Sequence, residues 1–327
     1  MRGEDLSRAE AAQLLGALLD PEATDAQIAS TLIALRMKGE TFEELAGLTE
    51  AMRERAVRIT SDHARFIDTA GTGSSRVKTF NVSTAAAFVI AGAGLAVAKH
   101  GNRAASSRCG SADVLAALGV NVSAPAEVSE KCLNEIGICF MFAPLYHGAT
   151  ARVASVRREL GVQTTFNLLG PLTNPAHAPR QIIGVANPDV MEPVASALAL
   201  LGTERAWVVH GADGLDEVTL AGKTFVAEAR RGEVRKFEIT PEEFGFERVA
   251  LDGLTSGDAE VNAGVIRAVL SGERRDAARA LVIVNAAAAL RVGGVASDLR
   301  AATQLAESSI DSGEALRKLD QLVRATN

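Results

Sequence analysis

Asp68–Ala112 reads DTAGTGSSRVKTFNVSTAAAFVIAGAGLAVAKHGNRAASSRCGSA, and the architecture of the chain unfolds from it. The short run Phe66–Thr69 reads as a strand and Gly71-Thr72-Gly73 as its turn. Ala85–Ala93 follows as an apolar helix and Leu95–Ala98 as the next strand. Strand, glycine turn, helix and strand in that order are the unit of α/β structure. Ser83 or Thr84 is placed to cap the helix. Ser111-Ala112-Asp113 opens a further helix, Asp113–Leu118, with its acid at the favourable positive end. A hydrophobic core does not require this order of small and polar residues. It suits a site that wraps a phosphorylated ligand with backbone N–H groups, hydroxyls and a few cations.

The alternation continues outward. Phe140–Phe142, Gln181–Val185, Ala206–His210 and Thr224–Ala227 read as strands with helices between them. The second and third of these carry few polar residues, as strands in a sheet covered by helices on its faces do. Asn262–Leu270, Arg275–Leu290 and Ala302–Val323 read as helices, the last broken or capped at Asp311-Ser312-Gly313. Upstream of Phe66 the pattern is helical. Ser7 with Glu10, Thr24 with Gln27, and Thr41 with Glu44 each carry the spacing of a capping box, and Met52–Ile59 reads as a fourth helix. Such short amphipathic helices bury little alone. They are expected to pack on the main domain or on a second copy of the chain, which predicts a homodimer through this region. The expected fold is α/β, with a small all-helical domain at 1–64 and a larger domain at 65–327 whose central sheet is flanked by helices.

Composition sets bounds. With 327 residues, 47% apolar and 23% charged, the chain is long enough for two domains and too apolar for disorder. A net charge of -6 without a basic stripe argues against a nucleic-acid partner. Ala85–Ala98 is too short and too broken by glycine to span a bilayer, and the first residues do not read as a signal peptide. Cys109, Cys132 and Cys139 lack metal-binding spacing and are expected as packed thiols in a reducing cytoplasm.

Three further features carry chemistry. Gly71-Thr72-Gly73 is neither a dinucleotide fingerprint nor a Walker loop, and alone it reads as a plain turn. The polar series Thr79, Asn81, Ser83 and Thr84 behind it favours a phosphate site. Lys99-His100-Gly101-Asn102-Arg103 lies where a strand meets a loop, either solvated or facing a ligand. With Arg108 its cations are compact enough to neutralise one polyphosphate. In Asp213-Gly214-Leu215-Asp216-Glu217, glycine lets the adjacent acids bend toward one or two Mg²⁺ ions, although a charged surface loop is the plain alternative. Between the sheet units lie Val156–Gly161 and Thr164–Pro175. The latter, with Gly170-Pro171 and Pro175, looks like a shaped crossover, and Arg157 is placed to reach into a cleft.

Together these runs identify a resemblance. GTG, TFNVSTAAA, VAKHGNRAASSRCGSADVLAALG, FMFAP at 140–144, VRRELG at 156–161, FNLLGPLTNPA at 166–176 and VVHGADGLDEVT at 208–219 are similar to the anthranilate phosphoribosyltransferase family. The likeness covers nearly the whole chain. It implies a nucleoside phosphorylase/phosphoribosyltransferase-like fold, a dimer through the helical part, and completion of that part by residues 149–173. It implies transfer of phosphoribosyl from 5-phosphoribosyl 1-pyrophosphate to the amine of anthranilate, with Mg²⁺ as cofactor. The pyrophosphate-substrate contacts it implies are Gly71, Ser74, Ser75, Thr79, Asn81, Val82, Ser83, Thr84, Lys99, His100, Gly101, Asn102, Arg103, Ala104, Ala105, Ser106, Ser107 and Ser111. Metal contacts fall on Ser83, Asp216 and Glu217, and anthranilate contacts on Gly71, Asn102 and Arg157. His100, Asn102 and Arg157 are the candidate catalytic group, with His100 either taking a proton or ordering its loop. Two departures stand out: Ser74-Ser75 followed by Arg76 where the family usually has Gly-Asp, and His147-Gly148-Ala149-Thr150 where it has His-Pro-Ala-Met. A phosphoribosyltransferase or nucleoside phosphorylase with another nitrogen acceptor, or a noncatalytic nucleic-acid-binding descendant, are the competing readings.

Overall fold

The computed structural model describes residues 3–73, 79–104, 108–251, 254 and 257–327. The chain opens with α1 (Arg8–Leu18), α2 (Asp25–Lys38) and α3 (Phe42–Glu54). Each starts where the spacing places it, because Ser7, Thr24 and Thr41 close reciprocal capping boxes with Glu10, Gln27 and Glu44. The fourth helix expected over Met52–Ile59 does not form. Arg55 ends α3, and the chain then crosses as irregular backbone whose N–H groups find distant carbonyls: Val57 N donates to Tyr146 O (2.9 Å) and Ile59 N to Pro175 O (3.5 Å).

The α/β part follows as β1 (Phe66–Gly71), α4 (Val82–Gly92), β2 (Ala96–Gly101), α5 (Ser111–Ala117), α6 (Ala126–Ile136) and β3 (Ile138–Phe142). The chain then leaves the sheet through α7 (Ala143–Tyr146), α8 (Ala151–Leu160) and α9 (Phe166–Leu172). It returns as β4 (Arg180–Gly184), α10 (Met191–Leu200), β5 (Arg205–Gly211), β6 (Thr224–Arg230) and β7 (Glu233–Ile239). It closes with α11 (Pro241–Phe244), α12 (Ala259–Leu270), α13 (Ala277–Val292), α14 (Leu299–Asp311) and α15 (Glu314–Thr326). Among the described residues the strands form one sheet in the order β3-β2-β1-β4-β5-β6-β7, parallel as far as β5 and antiparallel beyond it.

Strand β7 escapes a reading of the sequence. Glu-Val-Arg-Lys-Phe-Glu-Ile is largely exposed and has no clean alternation. Its turn is the signal, since Arg231 and Gly232 both have positive φ (53° and 84°), the geometry of a tight hairpin. Its register is held by the buried Glu228 carboxylate of β6, which accepts from Arg205 and Trp207 on β5 and from Arg235 on β7.

Two cores flank the sheet. One is built on α4, whose face between sheet and α13 and α15 leaves nearly every residue buried. The other runs from Leu15, Leu32 and Leu45 through Val156 and Leu169 to Val194 on α10 and Val208 on β5. Helices α8 and α9 pack against α2 and α3 respectively.

Candidate active site

The strand order reverses direction between β1 and β4, which are adjacent although a long excursion separates them in sequence. At such a switch point the carboxyl ends of neighbouring strands open a crevice. Here Gly71 pairs with Gly184 at the lip. A Cβ on Gly184 would lie 1.7 Å from Asp216 O, so only glycine lets the loop after β5 settle there. Asp216 Oδ2 is 3.7 Å from where a Cβ on Gly71 would stand. The resulting cleft encloses about 420 Å³, between the sheet edge on one side and α8 and α9 on the other.

A charged chain underlies the sheet side. Asp68 is fully buried; its Oδ1 accepts from His100 N (3.2 Å) and its Oδ2 from Asn174 Nδ2 (2.7 Å). Burial raises its pKa to about 6, against the opposing pull of Lys99. Lys99 donates to Thr69 O and lies 3.5 Å from Ser83 Oγ. Burial lowers its pKa, while Asp68 and Glu217 favour the charged form. Glu217 accepts from Ser83 N (3.2 Å), and its pKa is raised by burial first and by Asp216 second.

The opposite wall is less charged, and His100 at the end of β2 joins it to the sheet. His100 Nδ1 donates to Gly170 O (3.2 Å), which leaves its buried Nε2 without a partner. His147 packs beside it, with ring centroids 5.2 Å apart and its Nε2 likewise unpartnered. Burial pulls His100 down to about 3 and His147 to about 4, so both rings are neutral. Arg157 stands over the Phe166 ring at 5.4 Å and gives Nη2 to Asn167 Oδ1 (3.2 Å), while its Nε is buried without a partner. Its neighbour Arg158 is exposed. Thr150 closes the departing His147–Thr150 turn by donating its hydroxyl to His147 O (2.7 Å).

Of the residues picked out by sequence, Gly71, Thr79, Asn81, Ser83, Thr84, Lys99, His100, Gly101, Asn102, Arg103, Ala104, Ser111, Arg157, Asp216 and Glu217 all line the cleft. Ser74, Ser75, Arg76, Ala105, Ser106 and Ser107 lie outside the described residues. Several expectations are corrected. Lys99 and His100 belong to β2 rather than to a loop, and both are buried. Of the expected cation cluster, Lys99, His100 and Arg103 line the cleft, with His100 neutral and Arg103 paired with Asp113 at 2.9 Å, while exposed Arg108 does not line it. Val82 turns its side chain into the core. Neither Ser83 nor Thr84 caps α4: Asn81 does so from a left-handed conformation (φ 62°), its side chain held by Cys109 O and Asn262. Asp213 is spent on its own loop, accepting from Thr219 Oγ1 (2.7 Å) and Leu215 N.

Phe166, Asn167, Gly170 and Asn174 are the functional neighbours that the sequence did not single out, while His147 had entered it only through the His147–Thr150 departure. The crossover motif Thr164–Pro175 was the available signal. Nothing in its spacing tells that Asn174 reaches β1 and Ala98 O (2.8 Å) on β2.

The donor set fits a hard divalent ion. Two adjacent carboxylates and the Ser83 hydroxyl offer oxygen ligands, and burial leaves Glu217 poorly compensated. Among the described residues no group of three or more His, Cys, Asp or Glu converges into an all-protein cage. One or two carboxylates completed by water and substrate phosphate are the usual coordination of Mg²⁺.

Comparison with known proteins places this geometry. Residues 1–56 match the helical bundle domain, and residues 63–316 the a/b domain, of the glycosyl transferase family. The chain is 53% identical to the anthranilate phosphoribosyltransferase of Moorella thermoacetica over 98% of its length and 94% of that protein's. It is 53% identical to that of Anaeromyxobacter dehalogenans, covering 100% and 96%. The crystal structure of the Thermus thermophilus enzyme superposes with a TM-score of 0.93 at 42% identity, over 99% of this chain and 97% of that one. The Saccharomyces cerevisiae enzyme, in complex with PRPP and Mg, superposes at 0.88 with 29% identity, over 98% and 93%.

The histidine pair predicts a pH response. Both folded pKa values lie below the unfolded value of about 6.5, so the unfolded chain takes up more protons in acid. The stability these two rings contribute is complete above about pH 6.5 and is lost as pH falls toward the folded values. Asp68, raised to about 6, acts in the opposite sense, so the direct measurement is ring NMR. The His100 and His147 resonances should not titrate between about pH 8 and about pH 5. A midpoint near 6.5 for either ring would contradict the buried, neutral pair.

Proposed function

The chain belongs to the anthranilate phosphoribosyltransferases, and we propose from that premise how its cleft divides the reaction between its two walls. It transfers the phosphoribosyl group of 5-phosphoribosyl 1-pyrophosphate to the amine of anthranilate in tryptophan biosynthesis. The phosphorylated substrate lies along the sheet side, over Gly71, Thr79, Asn81, Ser83, Thr84, Lys99, Gly101, Ala104 and Ser111, with Asn102 at the boundary. The resemblance assigns the same substrate to Ser74, Ser75 and Ala105–Ser107, which lie outside the described residues.

Anthranilate lies on the other wall. The observation that carries this reading is the Arg157 guanidinium, a half-buried cation over Phe166 with a buried, unpartnered Nε. Burial lowers its pKa, and a carboxylate in the cleft supplies the missing counter-charge. With the carboxylate held there and Gly71 leaving room at the lip, the amine faces the sugar carbon from the side opposite the departing pyrophosphate. Such placement supplies much of the rate for a weakly basic aromatic amine. His100 serves as a positioning group. Its Nδ1 proton is committed to Gly170 O, and a nitrogen held near pKa 3 is a poor proton acceptor.

Asp216, Glu217 and Ser83 would hold Mg²⁺, which when bound would neutralise charge on the leaving pyrophosphate. Lys99 compensates Glu217 from below. The helical domain spans 1–64 completed by 149–173, and the α/β domain spans 65–327. Support comes from α8 and α9, which pack on α2 and α3 within one core. Met37 (82% exposed) and Phe42 (43%) leave apolar surface on the helical part, which supports a homodimer through it. Among the described residues no helix is long and apolar enough to cross a membrane, and all three cysteines are buried, which suits a cytoplasmic protein.

Arg157→Ala removes a charge-assisted contact of about 1.5–3 kcal/mol. The KM for anthranilate should rise roughly 10–150-fold. Arg158→Ala should leave it unchanged, and aniline, which lacks the carboxylate, should be a poor substrate insensitive to Arg157→Ala. Equal losses for anthranilate and aniline would reassign Arg157 to the fold or the phosphate side. Replacing Asp216 and Glu217 by Asn and Gln should abolish most pyrophosphate release while thermal melting persists. Full turnover of that variant with a chelator present would reject the metal assignment. Sedimentation at micromolar concentration should give the mass of a dimer, and a monomer throughout would dismiss the helical interface.

A further inference from the structure

We propose that Asn167 is a positioning residue that sets acceptor specificity by aiming Arg157 while leaving its charge unspent. The inference rests on the reading of Arg157 as the carboxylate clamp. An arginine at the last turn of α8 has a long side chain with several rotamers, and a useful clamp needs one of them. Two neighbours on α9 supply the restraint. Phe166 offers its ring face at 5.4 Å, which fixes the plane of the guanidinium. Asn167 accepts from Nη2 at 3.2 Å, which fixes its rotation within that plane.

The amide is itself held. Asn167 Oδ1 also accepts from Thr164 N at 3.0 Å. Both partners are donors, so the oxygen and not the NH₂ faces them, and the amide orientation is decided by chemistry. Thr165, one residue further, donates its hydroxyl to Glu40 of the helical part, and Arg36 donates to Gln163 O. The segment that carries Asn167 is therefore anchored from both directions, and the positions of Arg157 and α9 are linked through it.

The neutrality of the amide is what serves specificity. A carboxylate at 167 would satisfy Thr164 N–H and hold the guanidinium equally well. It would also neutralise Arg157 and compete with the substrate's carboxylate for it. Asparagine orients the cation and leaves its buried Nε and its full charge to the ligand.

This difference separates a positioning role from a structural one. Asn167→Ala should raise the KM for anthranilate about ten-fold through loss of one hydrogen bond to a charged group. Asn167→Asp keeps the bond to Thr164 N–H and should raise that KM at least as much, while the KM for 5-phosphoribosyl 1-pyrophosphate stays within about two-fold of the parent. The Asp variant keeps the test intact if the Ala variant fails to fold. A parental anthranilate KM in Asn167→Asp would overturn the proposal, because a purely structural acceptor is rescued by aspartate. Parallel assay of Arg157→Ala separates the premise from the inference. If it raises the anthranilate KM while both Asn167 variants remain parental, only the role of Asn167 falls; if it leaves that KM unchanged, the clamp falls and the role of Asn167 with it.

Discussion

A single buried carboxylate organises the site. Asp68 has no solvent exposure, and its charge is acceptable only because Asn174, the His100 N–H and Lys99 surround it. Those partners arrive from two other parts of the chain. Lys99 and His100 bring the end of β2, and Asn174 brings the crossover after α9. Asn174 also donates to Ala98 O, so one side chain ties the crossover to two strands. Loosening any of these contacts strands a charge in the interior, which costs more than the contact itself contributes.

The same crossover is fastened along its length. Pro171 lies inside α9, and the carbonyls near it are met by side chains from three other elements. His100 on β2 takes Gly170 O, Gln181 on β4 takes Pro171 O, and Arg53 on α3 takes Leu172 O. A short helix interrupted by proline thereby becomes a rigid wall. It presents Phe166 and Asn167 to Arg157 on one side and abuts the sheet on the other.

Opposite that wall, the carboxylates are arranged for a cation. Glu217 accepts from a backbone N–H at the start of α4, where a helix N-terminus favours negative charge. That hydrogen bond and Lys99 together do not offset the desolvation of Glu217 and the repulsion from Asp216. The cleft thus has one wall in need of positive charge and one, at Arg157, in need of negative charge. Under the proposed division of the cleft, a phosphorylated sugar with its metal and an aromatic carboxylate would answer those two needs.

Much of this was present in the order of residues. The three N-terminal capping boxes, the β1-turn-α4-β2 unit and the Asp216-Glu217 pair are local patterns, in which neighbouring residues decide the outcome through a few hydrogen bonds. Most residues singled out for the site do line the cleft for the same reason, since they sit at strand ends and turns that the pattern of glycine and hydroxyl marks. What the sequence left open were properties of distance. Whether Lys99 and His100 were solvated or buried depended on where β3 ended beside them, and Arg103 found Asp113 only when α5 folded back. The loss of the expected helix at Met52–Ile59 followed from carbonyls at Tyr146 and Pro175, far along the chain. Local periodicity carries no information about such partners, because burial and long-range hydrogen bonding exist only once the sheet is assembled. The tertiary structure alone decided that Asp68, Asn174, His100 and Arg157 belong to one site.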